Sequence, residues 1–199
     1  MGIFFVSAHA QMPDSFTTQR VYAERIDHRH ADDLFKLFSD PQVQESYGVV
    51  REHVSRERSL VQVTLAKKHW EDYGFGSYVL FHKDTHEFLG LAGLYRDILD
   101  GAKEIHCSTY EDVDAMQGTE ELEIFYLYMP IHWRHGYGYE VAKELTQLAF
   151  VQLPYSSIIA YILPDNAASH GLIQKMGFKE EGTVFYKDNQ HILYRLNKN

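Results

Sequence analysis

The chain has 199 residues, 45% of them hydrophobic and 24% charged, with a formal net charge of −9 and one cysteine, Cys107. That length is within the range of a single domain with a substantial core, and the acidic balance disfavours a nucleic-acid surface. One cysteine excludes an intrachain disulfide and fits a reducing, cytoplasmic setting, and no run approaches the roughly 20 apolar residues of a membrane span.

Residues 1–6 are apolar but lack the basic start and long apolar run of a secretory leader. The Met-Gly opening fails as a myristoylation motif because Val6 stands where Ser or Thr is required. Residues 1–16 carry no clear period and are expected to be a lead-in to one domain over 17–199. Around Arg20-Val21-Tyr22-Ala23 the composition is that of a strand. Asp27 is a candidate N-cap for a helix with Ala31, Leu34, Phe35 and Phe38 at helical spacing, ended by Pro41. A second helix is expected over 55–73, with Val63, Ala66 and Trp70 on one face and Gly74 as its stop. Strands at 77–82 and 87–94 flank the polar turn Lys83-Asp84-Thr85-His86, and Gly90 and Gly93 mark a bulge or a close backbone approach.

Residues 96–120 are polar, acidic and too long for a plain connection. They read as an insertion that covers a substrate site, packs against a second subunit in a homodimer, or stays disordered. Strands follow at 121–129 and 157–163, the latter nearly all apolar as a buried parallel strand should be. Asp165 or Asn166 caps a helix that Gly177 ends, and a final hairpin turns at Lys187-Asp188-Asn189-Gln190. The expected fold is one mixed α/β domain: a mostly antiparallel sheet of six to seven strands flanked by about four helices.

The stretch that carries most chemistry is Trp133-Arg134-His135-Gly136-Tyr137-Gly138-Tyr139. It follows the 121–129 strand and leads into a helix with Val141, Ala142, Leu145, Leu148 and Ala149 on one face. The first N–H groups of a helix lack internal partners and sit at the positive end of its dipole. Two glycines let the backbone curl against a ligand, and Arg134 adds a charge. The ligand suited to such a cradle is a pyrophosphate, while residues 133–142 alone fit a tight turn before an ordinary amphipathic helix better still. No Walker loop is present, and Val141 occupies the place of the third glycine of a dinucleotide fingerprint.

Downstream, Pro164-Asp165-Asn166-Ala167-Ala168-Ser169 precedes Lys175-Met176-Gly177-Phe178. Together with the Trp-x-x-Gly-x-Gly loop, this chain resembles the GNAT superfamily of acyl-CoA-dependent N-acyltransferases over about residues 17–196. It resembles most the Rim-type branch, whose members acetylate α-amino groups of ribosomal proteins or other amines. Trp133, where the superfamily usually has Gln or Arg, is a substitution common in that branch. The resemblance implies a sheet splayed between the 121–129 and 157–163 strands, acetyl-CoA as co-substrate, and an amine acceptor beside the first two helices. It implies backbone contacts from Arg134, His135, Gly136, Tyr137, Gly138 and Tyr139 to the phosphates, and from Leu127, Tyr128 and Met129 to the pantetheine arm. Asn166 reads both as an N-cap and as a contact to that arm.

Amide formation from a thioester needs a base, an oxyanion donor and support for the leaving thiolate. The branch resemblance assigns that support to Ser169, since Ile173 stands where other members carry a Tyr, and the base to Glu123, with Glu121 in reserve on the same strand face. Twelve histidines show no metal-ligand spacing, so no metal is expected. The leading expectation is therefore an N-acetyltransferase acting by direct transfer on a protein N-terminus or a small amine. The alternative is a non-catalytic acyl-CoA-binding or regulatory module.

Overall fold

The computed structural model describes residues 10–47 and 54–198. Most of the expected lead-in, and the readings on residues 1–6, lie outside the described residues. The described part of that lead-in is ordered: Met12 is buried, its N–H donates to the Gly74 carbonyl at 2.9 Å, and a strand begins at Ser15.

In chain order the elements are β1 Ser15–Thr17, β2 Val21–Arg25, a 3-10 turn His28–His30, α1 Ala31–Ser39, α2 Pro41–Tyr47, α3 Arg56–Tyr73, β3 Ser77–His82, β4 Phe88–Leu99 and β5 Ile105–Cys107. They continue with β6 Thr119–Tyr128, a 3-10 turn Pro130–His132, α4 Tyr137–Gln152, β7 Ser157–Ile162, α5 Ala167–Lys175, β8 Lys179–Tyr186 and β9 Asn189–Asn197. The strands form one sheet in the order β1-β2-β3-β4-β6-β7-β9-β8, with β5 on β4. All pairings are antiparallel except β6 with β7.

Local rules account for most boundaries. The Ser55 side chain accepts the Arg58 N–H at the start of α3, and Gly74 ends that helix at φ 76°. Pro41 does end α1, but it also opens α2, which the sequence reading omitted. Asp40 accepts the N–H groups of Gln42 and Val43, so Asp40-Pro41 is an N-cap followed by a first-turn proline. The strand count of nine exceeds the expected six to seven, because the chain before residue 17 and the 96–120 segment supply sheet of their own. The β4–β6 ladder continues through Leu99↔Thr119, and β5 pairs with β4 through Asp97↔Cys107. Gly90 marks the expected close approach: a Cβ there would lie 2.1 Å from the Leu127 carbonyl oxygen.

The two faces of the sheet serve different helices. Tyr126 and Tyr128 of β6 point toward α4 and α5: the Tyr128 hydroxyl donates to the Tyr137 carbonyl, and Tyr126 meets Ser169. Glu123 and Phe125 lie on the other face, where Tyr95 stacks on Phe125 at 4.4 Å and meets His69 of α3 at 5.1 Å.

Candidate active site

The parallel pairing of β6 and β7 consists of one register pair, Glu123↔Ile159. Beyond it the strands diverge, so the β6 edge facing β7 has no strand partner from Phe125 to Tyr128. This is the expected splay, a fork whose mouth exposes part of Phe125, Tyr126 and Leu127. Leu127 and Tyr128 are tied to β4 on their other side, opposite Leu91 and Gly90, and the Met129 N–H donates to Leu89. Trp133 closes the end of β6 by donating its indole N–H to the Tyr128 carbonyl at 2.7 Å. That carbonyl is therefore already occupied, a role that an aliphatic residue at 133 would not supply.

Past Trp133 the backbone turns left-handed twice, at Arg134 (φ 62°) and Gly136 (φ 84°), and Gly136 caps α4. The first bond of α4 runs from the Glu140 N–H to the Gly136 carbonyl at 3.2 Å. The amides of Tyr137, Gly138 and Tyr139 precede that bond and stay outside the helical ladder. Gly138 faces Leu172 of α5: a Cβ there would lie 2.8 Å from Leu172 Cδ1. Arg134 and His135 are exposed at the rim, and His135 Nδ1 lies 2.9 Å from the Trp133 carbonyl. A cleft of about 140 Å³ continues from this turn, lined by Tyr139, Lys143, Lys175 and Met176 among others, with the Lys175 ammonium 4.4 Å from the centre of the Tyr139 ring.

Three residues that sequence reasoning missed brace this loop. Arg20 donates to the His135 carbonyl at 2.9 Å, pairs with Glu140 at 2.8 Å and stacks over Tyr137 at 4.5 Å. Thr18 donates to the same Glu140 carboxylate. Against the effect of burial, the Thr18 and Arg20 bonds hold Glu140 below its ordinary pKa. Arg20 and Glu140 are 120 residues apart, so no local pattern could have joined them.

Asn166 caps α5 by accepting the Ser169 N–H at 3.1 Å, and its amide group donates to the Ser46 carbonyl at 3.1 Å, tying α5 to α2. The Ser169 side chain bonds the Tyr126 phenol, partly offsetting the burial that pushes that phenol up to about 12. His170, next to Ser169 in the chain, is engaged away from it: its ring nitrogens meet the Tyr194 hydroxyl and the Leu163 carbonyl.

Glu123 sits at the closed end of the fork and is buried. It shares its face with Asp97 of β4, and neither Asp97 oxygen has a hydrogen bond of good geometry among the described residues. Burial pushes Asp97 up to about 7, partly offset by Cys107, Tyr161 and Glu123. Burial, and then the Asp97 charge, push Glu123 well above the usual carboxylate range. Glu121, the reserve base, is committed otherwise: Arg195 holds both its oxygens, at 2.7 and 2.8 Å. Among the described residues no group of three or more His, Cys, Asp or Glu could hold a metal ion, and no helix is long and apolar enough to cross a membrane.

Comparison with known proteins agrees with this geometry. The Acetyltransferase (GNAT) domain family matches residues 20–179. Uncharacterized N-acetyltransferase YoaA of Bacillus subtilis is 29% identical over 168 residues, covering 84% of each chain. Two solved structures share the fold at low identity. The microcin C7 self-immunity acetyltransferase MccE, in complex with acetyl-CoA and AMP, aligns with TM-score 0.70 and 11% identity over 95% of this chain and 99% of its own. The ribosomal-protein-S5-alanine acetyltransferase of Vibrio fischeri aligns with TM-score 0.66 and 14% identity, over 93% and 97%.

Proposed function

Because the chain belongs to the GNAT acetyltransferase family, we propose that it is an acetyl-CoA-dependent N-acetyltransferase that passes the acetyl group directly to a primary amine in a ternary complex. The observation that carries this reading is the adjacency of two features. Three amides outside the helical ladder open α4 at the left-handed Gly136, and the unpaired edge of β6 begins beside them.

These residues fit an acyl-CoA. The amides of Tyr137, Gly138 and Tyr139, at the positive end of α4, suit a pyrophosphate, with Arg134 and His135 at the rim. Apart from the Tyr128 carbonyl, which Trp133 takes, the edge of β6 from Phe125 to Tyr128 offers backbone groups without a strand partner to an amide-bearing arm, as a missing strand would use them. Asn166 has its side chain committed to the Ser169 amide and to Ser46, so its contribution to the arm is to position Ser169 and the start of α5. When bound, acetyl-CoA supplies an activated acyl group.

The protein's own groups divide the remaining work. The Asn166 cap at the Ser169 backbone N–H and the Tyr126 phenol beside its side chain, on the α5 side of the fork, support assigning Ser169 to donate a hydrogen bond to the departing sulfur. A neutral hydroxyl stabilises a thiolate that way without full proton transfer. Glu123 is assigned as the base. Burial and the neighbouring Asp97 charge both raise its proton affinity, which supports a role in taking the amine's proton through a water.

The test is a thermal-shift titration with acetyl-CoA, CoA and NAD in parallel, followed by an amine panel. Ligands that bind only the folded state raise the midpoint. A shift with both CoA species and not NAD supports the reading, and no shift removes it. Binding without turnover of any amine would favour the non-catalytic acyl-CoA module.

A further inference from the structure

The turn between β1 and β2 lies against the start of α4. The Thr18 hydroxyl and the Arg20 backbone N–H both donate to Glu140 Oε1, at 2.5 and 2.7 Å. The Arg20 guanidinium holds Glu140 Oε2 through Nε and Nη2, each at 2.8 Å. Glu140 is the acidic residue of the first turn of α4, one position past the third amide outside the helical ladder. An acidic side chain in a first turn is drawn to the positive end of the helix and competes there with any anion. Here both carboxylate oxygens are taken up by the β1–β2 turn instead, and the Arg20 charge compensates theirs.

Arg20 also reaches the loop that precedes α4. Its Nη1 donates to the His135 carbonyl at 2.9 Å, and its guanidinium lies over the Tyr137 ring at 4.5 Å. Between these two residues, a Cβ built on Gly136 would lie 3.4 Å from Arg20 Nη2. One side chain therefore lies along three consecutive residues of the loop. A trans peptide unit is planar, so its N–H points opposite to its C=O. With the His135 carbonyl held by Arg20, the Gly136 N–H points away from Arg20, and it has no hydrogen-bond partner among the described residues.

We infer that Arg20 is a positioning residue for the coenzyme's phosphates, an inference that rests on the function proposed above. It cancels the Glu140 carboxylate at the mouth of α4, and it turns the His135–Gly136 peptide so that the Gly136 amide joins those of Tyr137, Gly138 and Tyr139 in the cradle. The two roles make the partners of this ion pair unequal. Losing Arg20 leaves an uncompensated anion beside the phosphates. Losing the charge of Glu140 leaves a cation there.

The experiment measures the Kd of acetyl-CoA by isothermal titration for wild type, Arg20→Met, Glu140→Gln and the double variant, with ligand-free circular dichroism and Tm as the check on folding. Arg20→Met is expected to weaken binding by about tenfold or more. Glu140→Gln keeps an oxygen for the Thr18 and Arg20 donors, and is expected to bind as tightly as wild type or tighter. The double variant is expected to bind about threefold or more tighter than Arg20→Met, because the uncompensated carboxylate is gone. A brace that served the fold alone would make the two single variants equally weak, and that result overturns the inference. So does a double variant no tighter than Arg20→Met. Should Arg20→Met fail to fold, Glu140→Gln still decides, since a loss of about tenfold there also overturns it. Wild-type binding that a folded Arg20→Met leaves within about threefold overturns this inference alone. No wild-type binding of acetyl-CoA or CoA removes the proposed function, and the role of Arg20 with it.

Discussion

Replacing Asp97 by Asn should stabilise the protein at alkaline pH and leave it nearly unchanged at acid pH. Asp97 is fully buried, with neither oxygen in a hydrogen bond of good geometry among the described residues, and burial raises its pKa from 3.8 to about 7. A carboxyl whose folded pKa exceeds its unfolded value holds an extra proton in the folded state. Its stabilisation is therefore complete below pH 3.8 and is lost as pH rises through about 7. The full rise corresponds to roughly 4 kcal/mol, of which roughly 3 kcal/mol falls between pH 5 and pH 8. No solvent discount applies to a group this buried. The amide introduced by Asp97→Asn has no charge to desolvate, and without a neighbouring anion Glu123 also ionises at lower cost, which acts in the same direction. His69, pushed down to about 4 by burial, loses stability as pH falls below 6.5, but it does so in both proteins and cancels in the difference. Urea unfolding at pH 5 and pH 8 measures the effect: the stability of Asp97→Asn relative to wild type should grow by roughly 3 kcal/mol, or roughly 6–12 °C in Tm for a chain of this size. Parallel pH profiles for the two proteins would show that Asp97 ionises as an ordinary carboxylate, and the burial-raised carboxyl would have to be abandoned.

Three further outcomes are expected. Gly136→Glu puts a side chain and a negative charge at a left-handed cap (φ 84°) and should abolish the acetyl-CoA thermal shift, with far-UV circular dichroism unchanged; retained affinity would show that this turn does not hold the phosphates. Ser169→Ala should lower kcat by about 10²-fold with little change in acetyl-CoA affinity, and full turnover would remove the hydroxyl from the chemistry. Gly90→Ala forces a Cβ to within 2.1 Å of the Leu127 carbonyl oxygen; the clash is with backbone, so denaturant unfolding should register a loss of about 1–3 kcal/mol as the β4–β6 ladder is pushed apart at Gly90↔Tyr128.

What the sequence by itself determined about this protein is its local grammar. Ser55 and Gly74 bound α3, Gly136 opens α4, Gly177 follows α5 at φ 93°, and the two left-handed residues Lys187 and Asp188 turn the last hairpin. Each is set by contacts within a few residues, so each is written in a few letters. The fork was expected only through the family resemblance that the Trp133–Gly138 loop and the Asn166–Phe178 stretch carry. What only the tertiary structure decided are the long-range charges and the fate of the polar insertion. Arg20 finds Glu140, Arg195 takes Glu121 out of contention as a base, and Asp97 joins Glu123 in a site sealed by Cys107 and Tyr161. Residues 96–120 read as a polar insertion whose structure the sequence left open, yet β5 alternates Ile105 and Cys107 inward on either side of His106. A carboxyl's chemistry depends on what surrounds it, and on a sheet of nine strands those neighbours come from distant parts of the chain.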